Sequence, residues 1–218
     1  MRLKIIPILF LPFLLMIFVG CQKSEKTLPY IGFHQPIKKN VNGKTTIDTI
    51  YHTVPDFEFI NQKHQKITHQ ILENKVTVVN FIFTSCPTIC PKQTRQLQKI
   101  QEKTKGLKNY QQFSFTVDPK RDSPERLKQF GEKYQADFAN WHFLRAEQKV
   151  VYELGMNGFY LGMGKDNLAE GGFFHSSNLV LIDQQKHIRG MYDSFDEKQV
   201  NQLVDDIKFL LKEKIQQF

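Results

Sequence analysis

Residues 76–84 read Val-Thr-Val-Val-Asn-Phe-Ile-Phe-Thr, a nearly unbroken run of β-branched and apolar residues. Such a run suits a central strand covered on both faces, because a strand with one wet face would alternate. It breaks off at Ser85-Cys86-Pro87-Thr88-Ile89-Cys90-Pro91, and Leu97, Ile100 and Leu107 then fall at helical spacing, with Gly106 placed to end the helix or break it late. A strand that feeds a helix through a short loop is the unit of α/β sheets with parallel crossovers. The junction therefore restricts the chain to an α/β fold and sets two cysteines at the carboxyl end of a strand, where open sheets of this type carry their sites.

The pattern continues in the same sense. Val54 to Phe59 alternates and can pair as a hairpin with Lys66-Ile67-Thr68. Phe113 to Val117 alternates like a strand, and Ser123-Pro124-Glu125 opens a helix with a cap, a proline at the first position and an acid in the first turn, its inner stripe being Leu127, Phe130 and Tyr134. Trp141 to Leu144 reads as a strand and Gln148 to Leu154 as a short helix. Ser177 to Ile182 reads as a strand that turns through Asp183 to Lys186 into Ile188 to Tyr192. From near Asp196, Val200, Leu203, Val204, Ile207, Leu210 and Leu211 share one face of a closing helix. The expected architecture is a three-layer sandwich, a central mixed sheet flanked by helices.

Arg2 and Lys4 precede an apolar run from Ile5 to Val19, then Gly20 and Cys21, the order of an export signal. The run is shorter than the ~20 residues of a membrane span and is interrupted by Pro7 and Pro12. Phe18-Val19-Gly20-Cys21 resembles a bacterial lipoprotein processing site, in which the cysteine is acylated and becomes the first residue. Phe18 stands where leucine is usual, so a retained signal anchor is the alternative. Either tether holds the chain on the periplasmic or extracytoplasmic side of a membrane. The expected organisation is an export signal over 1–20, a tether over 21–48, polar and without apolar period, and one domain over 49–218. The formal net charge of +8 comes from scattered lysines, which excludes the basic stripe with interleaved aromatics of a nucleic-acid binder but leaves attraction to an anionic membrane or an acidic protein face.

With Cys21 assigned to lipidation, Cys86 and Cys90 are the thiols of the folded part. A structural disulfide over so short a loop would constrain the unfolded chain little. Metal binding and thiol-disulfide exchange remain. Cys90, just before Pro91 at the predicted helix start, is expected to have a lowered pKa from the helix end, with Cys86 in the loop before it.

The three segments Cys86-Pro87-Thr88-Ile89-Cys90-Pro91, Thr116-Val117-Asp118-Pro119-Lys120-Arg121-Asp122 and His175-Ser176-Ser177 occur in that order. Together they resemble the Sco/SenC family of copper-handling proteins over roughly Val54 to the C-terminus. The resemblance implies a thioredoxin-like fold, copper held by Cys86, Cys90 and His175, and delivery to the binuclear copper centre of cytochrome c oxidase. The expected partners are the copper-bearing oxidase subunit or another copper protein, a thiol reductant or copper donor protein, and the membrane through the lipid. Thiolates suit Cu(I) and imidazole suits both copper oxidation states, and a three-coordinate site leaves room to hand the metal on.

The alternative is a membrane-tethered thiol-disulfide reductase with Cys86 and Cys90 as its redox pair. Thioredoxin-type reductases place a proline before a late strand, whereas here no proline follows Pro124 and His175 stands in that stretch. A peroxidase ranks last, because neither cysteine matches the Pro-x-x-x-Thr-x-x-Cys pattern of peroxiredoxins. Asp118 and Arg121 form a turn-fixing pair or, through Asp118, an outer contributor to the metal site. His64, His69, His142 and His187 are read as structural or surface residues, and Met156, Met163 and Met191 as packing. Phe173 and Phe174 could form a docking rim beside His175.

Overall fold

The computed structural model describes residues 26–166 and 168–213. The apolar run before Cys21, and Cys21 itself, lie outside them. Among the described residues no helix is long and apolar enough to cross a membrane.

The strand expected from residue 76 is β5, Val76–Ile82, and every position in it is buried. It is preceded by β1 (Gln35–Val41), β2 (Lys44–Ile50), β3 (Glu58–Asn61) and β4 (Lys66–Thr68). It is followed by α1 (Ile89–Lys103), β6 (Tyr110–Thr116), α2 (Pro124–Lys133), β7 (Trp141–Arg145) and α3 (Gln148–Glu153), which runs into a π turn over Leu154–Gly158. The chain then forms β8 (Met163–Lys165), β9 (Phe173–His175), β10 (Asn178–Ile182), β11 (Ile188–Asp193) and α4 (Glu197–Leu210). Seven strands make the central sheet in the order β11-β10-β5-β6-β7-β3-β4. β5, β6 and β7 run parallel, while β10 and β3 join them antiparallel. This is the expected mixed sheet flanked by helices, with α1 against α4 and α2 against β7.

Local signals set the helix starts. Ser123 accepts from the Arg126 amide at the head of α2 (3.3 Å), with Pro124 in the first turn. Asp196 accepts from the amides of Lys198 and Gln199 at the head of α4. α4 buries the predicted stripe Val200, Leu203, Val204, Ile207 and Leu210.

The segment read as a tether is more structured than that reading. β1 and β2 pair as an antiparallel hairpin from Gln35↔Ile50 to Val41↔Lys44. Their residues are mostly exposed on both faces, so no apolar period marks them. The readable signal was the turn Asn42-Gly43, both residues having positive φ (52° and 77°). Upstream, the chain is fastened to the sheet edge and to α4: Ile31 N–H donates to the Ile188 carbonyl (2.8 Å), and Lys26 pairs with Asp206 of α4 (2.5 Å). Arg189, 3% exposed, donates to the carbonyls of Leu28 (3.0 Å) and Pro29 (3.2 Å), to Asp183 (3.0 Å) and to Glu213 (2.8 Å).

Polar residues inside buried strands form one chain of hydrogen bonds across the sheet. Trp141 Nε1–H donates to Ser114 Oγ (3.0 Å), which donates to Asn80 Oδ1 (2.7 Å). Asn80 Nδ2 donates to Gln93 Oε1 (2.8 Å), and Gln93 Nε2 donates to the Ser177 carbonyl (2.9 Å). The network joins β7, β6, β5 and α1 to the residues just after His175. It satisfies groups whose burial would otherwise cost stability.

Candidate metal centre

β5 ends at Ile82, and the loop from Phe83 to Thr88 delivers Cys86 and then Cys90, which stands in the first turn of α1. Cys86 N–H donates to the Phe83 carbonyl (3.2 Å), closing a tight turn under its own side chain. His175 ends β9, which pairs only with β8 in a separate two-stranded piece, with His175 opposite Met163. The thiol sulfurs and the imidazole nitrogen lie within 4.8 Å of one another, and all three residues are buried. Cys90 Sγ is 3.2 Å from His175 Nε2. On the other side of the ring, Nδ1 is 3.1 Å from the Ser176 carbonyl. That carbonyl can only accept, so Nδ1 carries a proton and Nε2 is the ring nitrogen turned toward the sulfurs.

Both thiols are free. The Cys86 thiol falls from its usual value to about 3, mainly because the Cys90 thiol donates to its sulfur, with a smaller contribution from His175 and burial acting against it. Cys90 moves far up, first from burial and then from holding the proton beside the Cys86 thiolate. The expectation that Cys90 is the activated thiol is thus reversed. α1 begins at Ile89, so Cys90 lies inside the first turn and its own amide donates to Cys86 Sγ (3.4 Å). The free amides of a helix start point outward along the axis, toward the loop sulfur.

Asp118 is buried and pairs with Arg121. The acid bound to the cysteine loop is Asp122, which accepts from Thr84 N–H (3.1 Å), Thr84 Oγ1 (2.5 Å) and Thr116 Oγ1 (2.5 Å). Its charge adds to the rise of the Cys90 thiol. In the sequence Asp122 stands out only as the last residue of the 116–122 segment, without a role of its own; its signal was a second acid just before the Ser123 cap. Phe83 packs its ring against both Phe173 (5.4 Å) and His175 (5.8 Å). Phe83, Cys86, Ile89, Phe173, Phe174 and His175 line a cavity of about 270 Å³ beside the sulfurs. Phe174 is half exposed at its rim, whereas Phe173 is turned inward.

Met163 is buried opposite His175 in the β8–β9 pair, with Met156 partly exposed and Met191 half-buried. His142 and His187 are buried at 9% and 7% exposure; His64 and His69 face Glu125 and Asp56.

The sequence profile of SCO1/SenC matches residues 46–212. The chain belongs to the SCO1/SenC family. It is similar to a SCO1/SenC family lipoprotein from Bacillus anthracis str. Ames, at 30% identity and a TM-score of 0.69 over 74% of this chain and 96% of that one. It is also similar to BsSco, a member of the Sco family of cytochrome c oxidase assembly proteins in which a disulfide switch has been identified (29% identity, TM-score 0.67, 75% and 95% of the two chains). Bradyrhizobium japonicum ScoI, solved with copper bound, has the same fold (18% identity, TM-score 0.62, 73% and 99%).

The donor set fits a soft metal. Two sulfurs, one already held as thiolate, and an imidazole whose Nε2 faces them meet beside a cavity with an apolar wall. A hard divalent cation would want carboxylates, and the nearby acid, Asp122, is committed to the threonines.

Proposed function

We propose that this SCO1/SenC protein binds one copper ion through Cys86, Cys90 and His175 and delivers it to the binuclear copper centre of cytochrome c oxidase. In this reading it acts from the outer side of the membrane, tethered by a lipid on Cys21. The observation that carries it is the convergence of the three donor atoms within 4.8 Å. The copper-bound ScoI, the assembly role of BsSco and the lipoprotein from Bacillus anthracis support the metal, the recipient and the anchor in turn.

Copper is the cargo. The chain's own residues supply a thiolate at Cys86 without a base, a proton that leaves Cys90 as the metal enters, and an imidazole whose Nε2 already faces the sulfurs while Nδ1 is held by the Ser176 carbonyl. Three coordination leaves one side of the metal open to a recipient's ligand. Oxidation of the pair to a disulfide removes two electrons and two donors together, which couples metal retention to redox state.

A second reading has a specific observation behind it. A free, ionised Cys86 beside a protonated Cys90 is also what a thiol-disulfide reductase requires. Titration of Cu(I) and Cu(II) into the reduced full chain in detergent, beside His175→Ala, separates the two. One tightly bound copper per chain, weakened by the substitution, is the expected outcome. Absence of specific binding, with turnover of a small disulfide that is indifferent to His175→Ala, would establish the reductase instead.

A further inference from the structure

The two halves of the donor cluster have very different support. Cys86 lies in the loop that follows the fully buried β5, and Cys90 in the first turn of α1. His175 sits on the β8–β9 hairpin, which is not part of the seven-stranded sheet. The turn of that hairpin carries Gly171 and Gly172, both at positive φ (82° and 85°), and such backbone is costly to order without external ties.

One such tie comes from the β6–α2 loop. Arg121 Nη2 donates to the Gly171 carbonyl (2.9 Å), and its guanidinium lies over the Phe173 ring at 5.5 Å. The buried Asp118 carboxylate accepts from Arg121 Nε and fixes the fork. The next residue, Asp122, holds Thr84 of the cysteine loop. Adjacent side chains of one short loop therefore grip the cysteine half and the histidine half of the cluster.

We propose that Arg121, set by Asp118, is a positioning residue that clamps the histidine hairpin against the cysteine loop and so fixes the His175 imidazole at the sulfurs. The geometry requires the fork. Nε and Nη2 are used at once, on a carboxylate and a carbonyl, which an ammonium on a flexible stem does not reproduce.

The test has a metal-free arm and a copper arm, and only the second rests on the copper reading. In the reduced, metal-free full chain, Arg121→Ala and Arg121→Lys should both speed amide hydrogen exchange at Phe173 to His175 while leaving β5 and α1 unchanged. Asp118→Asn should do the same more weakly. In Cu(I) competition titrations, Arg121→Ala should weaken binding about 10- to 100-fold, the usual effect of losing a group that orients a ligand. In a His175→Ala background it should change binding less than about threefold, because the clamp then has no ligand to place. An equal loss in both backgrounds, or wild-type behaviour of Arg121→Lys, would assign Arg121 a charge effect and overturn the clamp. So would unchanged exchange at Phe173 to His175. If the parent binds no copper, the exchange arm decides alone.

Discussion

Replacing Arg189 by methionine removes the charge at the far end of β10 and β11 while keeping most of the side-chain volume. Arg189 is 3% exposed, and its partner Asp183 is 5% exposed. The substitution leaves Asp183 with the His187 imidazole (3.4 Å) and the Gln185 and His187 amides, and it strands the Leu28 and Pro29 carbonyls and Glu213. Breaking a buried pair from one side costs about 3–5 kcal/mol, because the abandoned charge stays buried. With a urea m-value of about 2 kcal/mol/M, the midpoint should fall by about 1.5–2.5 M. The residues from Lys26 to Phe33, whose ties include two of those lost bonds, should become the first site of proteolysis. Asp183 is held below its usual value despite burial, by its bonds from His187 and Arg189. Its contribution is present above the unfolded carboxylate pKa and is lost as pH falls through the folded one, so the deficit of Arg189→Met should shrink in acid. Adding Asp183→Asn should recover more than half of the loss at neutral pH. A midpoint shift below about 0.5 M, or no recovery in the double variant, would refute the buried-charge account.

Two further outcomes follow from the core. Burial, with smaller contributions from Lys75 and Lys63, lowers His142 from 6.5 to about 4. The folded protein therefore takes up its proton later than the unfolded chain, and stability should be lost as pH falls from about 6.5 toward 4, by up to about 3 kcal/mol. His142→Phe should flatten that part of the denaturation profile, and an unchanged slope would remove His142 as its source. Asn80→Leu strands Ser114 Oγ as a donor and Gln93 Oε1 as an acceptor, at about 1–3 kcal/mol each. The melting temperature should drop by about 5–15 °C, and a drop under about 2 °C would show that the network is dispensable.

Much of the fold was legible because its signals are local. The unbroken run of β5, the cap and proline of α2 and the stripe of α4 each lie within one element and state its period and its ends. The β8–β9 hairpin was not legible: its strands are three residues each, too short for any period to show. The β1–β2 hairpin hid for a different reason, since exposure on both faces removes the alternation that marks a strand.

At the site, residue types and spacing singled out Cys86 and Cys90, and the resemblance to the Sco/SenC family added His175 and the copper chemistry. The sequence by itself also determined the sheet-helix junction that holds the cysteines. Which thiol ionises, which acid grips the cysteine loop and what holds His175 in place were decided by the tertiary structure. Cys90 and His175 are 85 residues apart and Arg121 and Gly171 are 50 apart. Contacts at such separations come from the packing of whole elements, and burial and helix direction set the proton's place only once those elements have met.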